Sequence, residues 1–196
     1  RARAESEALE PILLEAIDRN EQAFAYVFEK LLSEQKFTEA EQMLPATGHP
    51  LNQDNLGGNL AEARLLFARG QAKIERGEDG LADLKRSAIA ARRSTEAAGW
   101  RNESWRVLAQ SMFALGEFEE SRIAYEQLVT RDPLGIDAIR NLAALHLREG
   151  GDPTRALALL ADTSRRLPDN SEVRESWLVL EAIYGDPVLA LAERQR

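Results

Sequence analysis

The sequence predicts an all-α chain, a solenoid of antiparallel helix pairs, and three observations carry that reading. Gly151-Asp152-Pro153-Thr154-Arg155-Ala156-Leu157-Ala158 recurs as Gly185-Asp186-Pro187-Val188-Leu189-Ala190-Leu191-Ala192, sharing Gly-Asp-Pro-x-x-Ala-Leu-Ala at a separation of 34 residues. Periods of roughly 20–50 residues mark stacked supersecondary units. No stretch keeps the apolar–polar alternation of a β-strand. A chain of 196 residues, 44% apolar and 30% charged, can bury a core without staples, and it has no cysteine to make one.

The elements follow in order. A helix is expected over 4–18; counted back from Phe24, it falls where the second helix of a pair belongs, so residues 1–20 read as a half-repeat or a capping helix. The chain starts at Arg1 and its methionines are Met43 and Met112, so it reads as a fragment or a processed product. Helices over 21–35 and 37–45 form a pair, with Glu39 and Glu41 in an opening turn where the helix dipole favours acid. Pro45 to Asn59 then exceeds the roughly two to eight residues usual between packed helices. It reads as an inserted solvent loop or as a loop laid over one face of the scaffold. Helices over 56–76 and 79–98 follow, the second with Leu81, Leu84, Ala88 and Ala91 as its buried stripe. Next come 101–115 and 118–131, with Glu117, Glu119 and Glu120 at the second start, then 136–149 and 153–166, then 171–184 and 187–194. At 153 and 187 the start is explicit: Gly ends the preceding helix, Asp is the N-cap acceptor, and Pro takes the first helical position, where a missing N–H is harmless.

Trp105, Leu108, Ala109, Met112, Gly116, Phe118, Ser121, Tyr125 and Pro133 stand at the spacings of the pattern W-x2-L-G-x2-Y, A-x3-F, P. In these residues the chain resembles the tetratricopeptide (TPR) family, with Ala in place of the pattern's Gly and Met in place of its Tyr. The resemblance implies a right-handed TPR-type α-solenoid of about four complete hairpins. Its organisation is a single array: residues 21–50 form repeat 1, 51–62 an inserted loop and helix start, 63–101 repeat 2, 102–135 repeat 3, 136–170 repeat 4, and 171–196 a partial or capping repeat. A small residue is expected near the start of each second helix, at Ala40, Ala82, Ser121, Ala156 and Ala190, opposite Phe28, Gly70, Ala109, Ala143 and Leu178. Trp105 and Tyr125 should be largely buried within one repeat.

No catalytic or cofactor motif emerges, and the reading is of a protein that is not an enzyme and takes no cofactor or metal. Neither G-x-x-x-x-G-K-[ST] nor G-x-G-x-x-G surrounds Gly57-Gly58, G-x-S-x-G is absent, and His49 and His146 are too far apart for any ligand spacing. His146 reads as a packed structural histidine, with a pH-sensing role as the competing idea. The longest wholly apolar run, Ala156 to Ala161, is far short of the roughly 18 residues a membrane span needs. A formal charge of −8 argues against nucleic acid and anionic lipid. Absence of cysteine fits a cytoplasmic or a periplasmic setting equally.

What remains is a protein or peptide partner. The resemblance places the first helices of the repeats along a concave groove, with inward positions at Gln22, Ala25 and Glu29; Arg64, Phe67, Gln71 and Ile74; Glu103, Arg106, Gln110 and Phe113; and Asp137, Arg140, Asn141, Ala144 and Leu147. Arg106, Gln110 and Phe113 share a helix face by spacing. Arg106 and Arg140 should flank an apolar floor of Phe113 and Leu147, unless Glu103 and Asp137 pair with the two arginines and close the site. Chaperone-binding TPR proteins hold a C-terminal carboxylate with a Lys-Asn-Asn-Lys-Arg clamp. Arg106, Gln110 and Asn141 match it loosely, but Glu172 and Ser176 stand where two cations belong, which argues against that ligand. A secondary basic ridge of Lys85, Arg86, Arg92 and Arg93 lies on the 79–98 helix; residues 51–100 carry 8 basic against 7 acidic residues, residues 1–50 only 5 against 10. That asymmetry suits an acidic partner or self-association. Two functions follow: an interaction scaffold within a larger assembly, of the kind such arrays provide in bacterial envelope or secretion machines, or a structural segment of a longer array. Leu9, Ile12, Leu13, Val188 and Leu191 left bare on terminal helices would favour the second.

Overall fold

The computed structural model describes residues 21–44, 58–148 and 150–194, the first three by backbone alone. The expected 4–18 helix, most of the 45–59 connection and Glu149 lie outside the described residues, as do His49, Leu9, Ile12 and Leu13. Ten helices and no strand occupy the described residues: α1 (Glu21–Ser33), α2 (Phe37–Gln42), α3 (Gly58–Glu75), α4 (Leu81–Ala97), α5 (Asn102–Ala114), α6 (Phe118–Arg131), α7 (Ile136–His146), α8 (Pro153–Arg166), α9 (Ser171–Tyr184) and α10 (Pro187–Arg194). The chain divides into two compact units, through Ala98 and from Gly99.

In the first unit α1 packs on α2, α2 on α3 and α3 on α4. Phe28, Ala40, Ala61 and Leu65 form one core cluster, against which Phe24 stacks on Phe28 with ring centres 5.3 Å apart. The α3–α4 hairpin is held by Leu84, Ala88 and Ala91, all buried, and by the Ser87 hydroxyl, which donates to the Ala63 carbonyl at 2.7 Å. Leu81, expected in this stripe, is half exposed, because it is the first residue of α4 and precedes the packed turns.

The first three hairpins turn alike. Gln35, Gly77 and Gly116 take left-handed φ values of 55°, 76° and 82°. In each, the next residue's N–H reaches back five positions, from Lys36 to Leu31, Glu78 to Lys73 and Glu117 to Met112, at 2.8–2.9 Å. This is a Schellman stop, which satisfies a carbonyl that the helix end would otherwise orphan. After Gln35 and Gly116 the next helix begins two residues on, but after Gly77 it begins four residues on. The added pair, Asp79-Gly80, rotates the register by about 200°. Ala82, expected at the close approach, is therefore exposed, and Leu84 takes its place against Gly70. A Cβ at Gly70 would lie 3.0 Å from Leu84 Cγ, so the glycine makes the room that the leucine fills. The other pairs divide space the opposite way or evenly: Phe28 with Ala40, Ala109 with Ser121, Ala143 with Ala156, and Leu178 with Ala190 are all buried.

In the second unit each helix from α5 to α10 packs on its neighbour in sequence. The Ser121 hydroxyl donates to the Ala109 carbonyl at 2.8 Å, and Ile139, Ala143, Ala156, Leu160, Val173 and Leu180 form the core cluster. The two Asp-Pro starts form as expected. Asp152 Oδ1 accepts from the Thr154 and Arg155 N–H groups, and Asp186 Oδ1 from those of Val188 and Leu189. Tyr125 is buried, but Trp105 is only partly so. Its indole N–H donates to the Gly99 carbonyl at 2.8 Å, and the Arg131 guanidinium lies 5.4 Å above its ring and donates to the same carbonyl. A charged side chain thus covers Trp105 where helix packing was expected.

Candidate functional site

In the second unit the helices α5 and α7 come together through residues spaced to share a face. Arg106 and Gln110 from α5 and Asp137, Arg140 and Asn141 from α7 line a cavity of about 470 Å³, floored by Tyr125 and Leu128 of α6. An adjoining cavity of about 440 Å³ shares Arg140 and Ala144 and continues over Leu147, Leu160, Val179 and Leu180, with Glu172 and Glu175 on its rim. The first is walled by polar groups. The second is floored by aliphatic ones.

The electrostatics are specific. Arg106 pairs with Glu103 on its own helix at 3.2 Å, as one expectation had it. Arg140 pairs not with Asp137 but with Glu172 of α9. Both arginines are about half exposed, 49% and 46%. Exposed pairs of this kind contribute about 0–1 kcal/mol, so an arriving carbonyl or carboxylate can replace either glutamate. Burial pushes the Tyr125 phenol above its usual value, partly offset by the neighbouring Arg106 and Asn141. With Glu103, Asp137, Glu172 and Glu175 beside two arginines, the surface is mixed in charge with an acidic excess.

The remaining candidates lie elsewhere. Phe113 borders neither cavity: it is 44% exposed and meets Phe118 edge-on at 5.5 Å, because α6 begins directly beneath it. Phe67 and Gln71, one turn apart on α3, are half-buried and belong to the first unit. Lys85, Arg86, Arg92 and Arg93 are exposed on α4, with Arg86 paired to Glu62 at 3.3 Å. Missed from sequence were Val179 and Leu180 as cavity floor; their three- and four-residue steps from Ser176 were the available signal. Among the described residues no group of three His, Asp or Glu side chains could hold a metal ion, and no helix is long and apolar enough to cross a membrane. No known family profile matches the chain, and no curated protein matches it.

Proposed function

We propose that the chain is a non-enzymatic interaction scaffold, a TPR-type right-handed solenoid that binds a polypeptide segment along α5, α7 and α9. The observation that supports this most is the pair of adjoining cavities sharing Arg140 and Ala144, one polar and one apolar. An extended segment would place backbone carbonyls on Arg106, Gln110 and Asn141 and seat an apolar side chain over Leu147, Leu160 and Leu180. The test is selection of a displayed peptide library against the purified chain, then binding of the selected peptides to Arg106→Glu/Arg140→Glu. Enriched peptides that lose affinity at least about tenfold on the folded double variant support the groove. No enrichment, or equal affinity, refutes it.

A second reading, a structural segment that associates with copies of itself, is favoured by Val188 and Leu191, which are 74% and 61% exposed on α10, beside Ile183 at 64% on α9. Sedimentation of the wild type against Val188→Glu/Leu191→Glu separates the readings: self-association that the double variant abolishes supports it, and a wild type that stays monomeric refutes it.

A further inference from the structure

The apolar cavity between α7 and α9 has an acidic rim on one side. Glu172, Glu175, Ser176 and Val179 line it from α9, at the three- and four-residue steps that put them on one helix face. Val179, an aliphatic side chain, is 46% exposed at this mouth, and Leu147 and Leu160 lie across from it. Glu175 and Glu172 stand about 6 and 10 Å along the helix axis from Val179, a reach of at most about three extended residues.

The helices around the groove do not balance this charge. The one basic residue of α9, Arg174, donates to the Glu193 carbonyl of α10 at 2.5 Å. Arg106 and Arg140 each already have a carboxylate, Glu103 at 3.2 Å and Glu172. Around the two adjoining cavities, four acids (Glu103, Asp137, Glu172 and Glu175) therefore stand against two arginines. The charges that follow α7 and α10 outside the described residues are Glu149 and Arg196, one of each sign, so the excess holds with both included.

We infer that the segment bound here is basic, with an aliphatic side chain seated over Leu147, Leu160 and Val179 and a lysine or arginine within about three residues of it paired to Glu172 and Glu175. This rests on the groove being a peptide site. A long basic side chain suits the place because its apolar stem lies along the aliphatic wall while its charge stays at the solvent-facing rim. A cation that takes Glu172 also releases Arg140, whose N–H groups then meet a carbonyl of the same segment. An acidic segment would gain Arg140 but lie against Glu172 and Glu175, and like charges so placed are strongly disfavoured.

The test sequences the peptides that a displayed random library yields on the full chain at low salt, and measures their affinity for the wild type and for Glu172→Gln/Glu175→Gln. Both glutamates are exposed, so the double variant keeps the fold. The expected pool is enriched in Lys or Arg within about three residues of an aliphatic position and depleted of Asp and Glu there. Its peptides should bind the double variant at least about fivefold more weakly, and the difference should shrink at high salt. Glu75→Gln/Glu96→Gln removes the same charge from exposed positions of the first unit and should leave affinity within about twofold. Enriched peptides with no basic preference, or basic peptides that bind Glu172→Gln/Glu175→Gln as tightly as wild type, overturn the inference and leave the groove standing as a peptide site. Equal weakening by Glu75→Gln/Glu96→Gln overturns it as well, since the peptides would then be drawn only to the net charge of −8. A library with no enrichment refutes the groove itself, and the inference with it.

Discussion

Asp83 offers the sharpest test of the energetics. It is an acid in the first turn of α4, yet it is only 6% exposed. Arg69 donates to both of its oxygens, at 3.1 and 2.9 Å, and Lys73 Nζ lies 2.8 Å away. Arg69 also reaches Glu41 at 3.2 Å, so α2, α3 and α4 meet at one charge cluster. Asp83→Asn removes the only carboxylate at its centre and turns an amide donor toward two donors. Breaking a buried pair this way costs about 3–5 kcal/mol. Here Arg69 keeps Glu41, and Lys73, with a side chain 33% exposed, can turn to water, so the expected loss is about 2–4 kcal/mol. In a unit of this size that is a fall of about 10–25 °C in melting temperature. Far-UV circular dichroism is the readout, because Trp100, Trp105 and Trp177 all lie beyond Ala98 and their fluorescence reports the other unit. Glu41→Gln, whose side chain is 53% exposed, serves as the comparison and should cost about 0.5 kcal/mol or less. The Arg69 hydrogen bonds hold the Asp83 carboxyl below the usual aspartate value. Its contribution is thus complete above about pH 4 and is lost as the pH falls through the lowered folded value. An Asp83→Asn loss under about 1 kcal/mol, or one no larger than that of Glu41→Gln, would refute the reasoning.

Three further outcomes are expected. Burial, with Arg122 next, lowers the pKa of His146 in the folded chain, so the unfolded chain binds its proton more readily; stability should fall as pH drops below about 6.5, and less so in His146→Phe, as urea melts at pH 7 and 5 would show. Gln35 holds a left-handed φ that glycine takes at the two matching turns, so Gln35→Gly should stabilise by up to about 1 kcal/mol and Gly116→Ala destabilise by about 1 kcal/mol in thermal melts. Trp105→Ala, set by burial alone at about 3–5 kcal/mol for a core tryptophan, should instead cost about 2–3 kcal/mol, because one face is covered by Arg131; a loss under about 1 kcal/mol would show that neither the Gly99 bond nor that cover matters.

What was legible in the sequence was what local chemistry decides. The spans 118–131, 153–166, 171–184 and 187–194 coincide with the helices because caps and stops are written within a few residues of each end. The shared face of Arg106 and Gln110 was likewise readable from spacing. Partner choice was not: Arg140 reaches Glu172, 32 residues on, and no periodicity distinguishes that acid from Asp137 nearby. Ala82 failed for a different reason, since two added turn residues rotate a helix without altering its composition. Asp83 was hidden because an acid in a first turn already has an adequate explanation in the helix dipole.

The division of space between Gly70 and Leu84 bears on any attempt to idealise this chain by averaging its hairpins. Column by column, such an average would put alanine at residue 70, the residue found at Ala109 and Ala143, and each choice would look conservative. The new methyl would sit 3.0 Å from Leu84 Cγ and 3.1 Å from the Gly80 carbonyl, a crowding that requires Leu84 to give way and that no single column reveals. The heritable unit is the facing pair, and a graft or a consensus has to carry both members together.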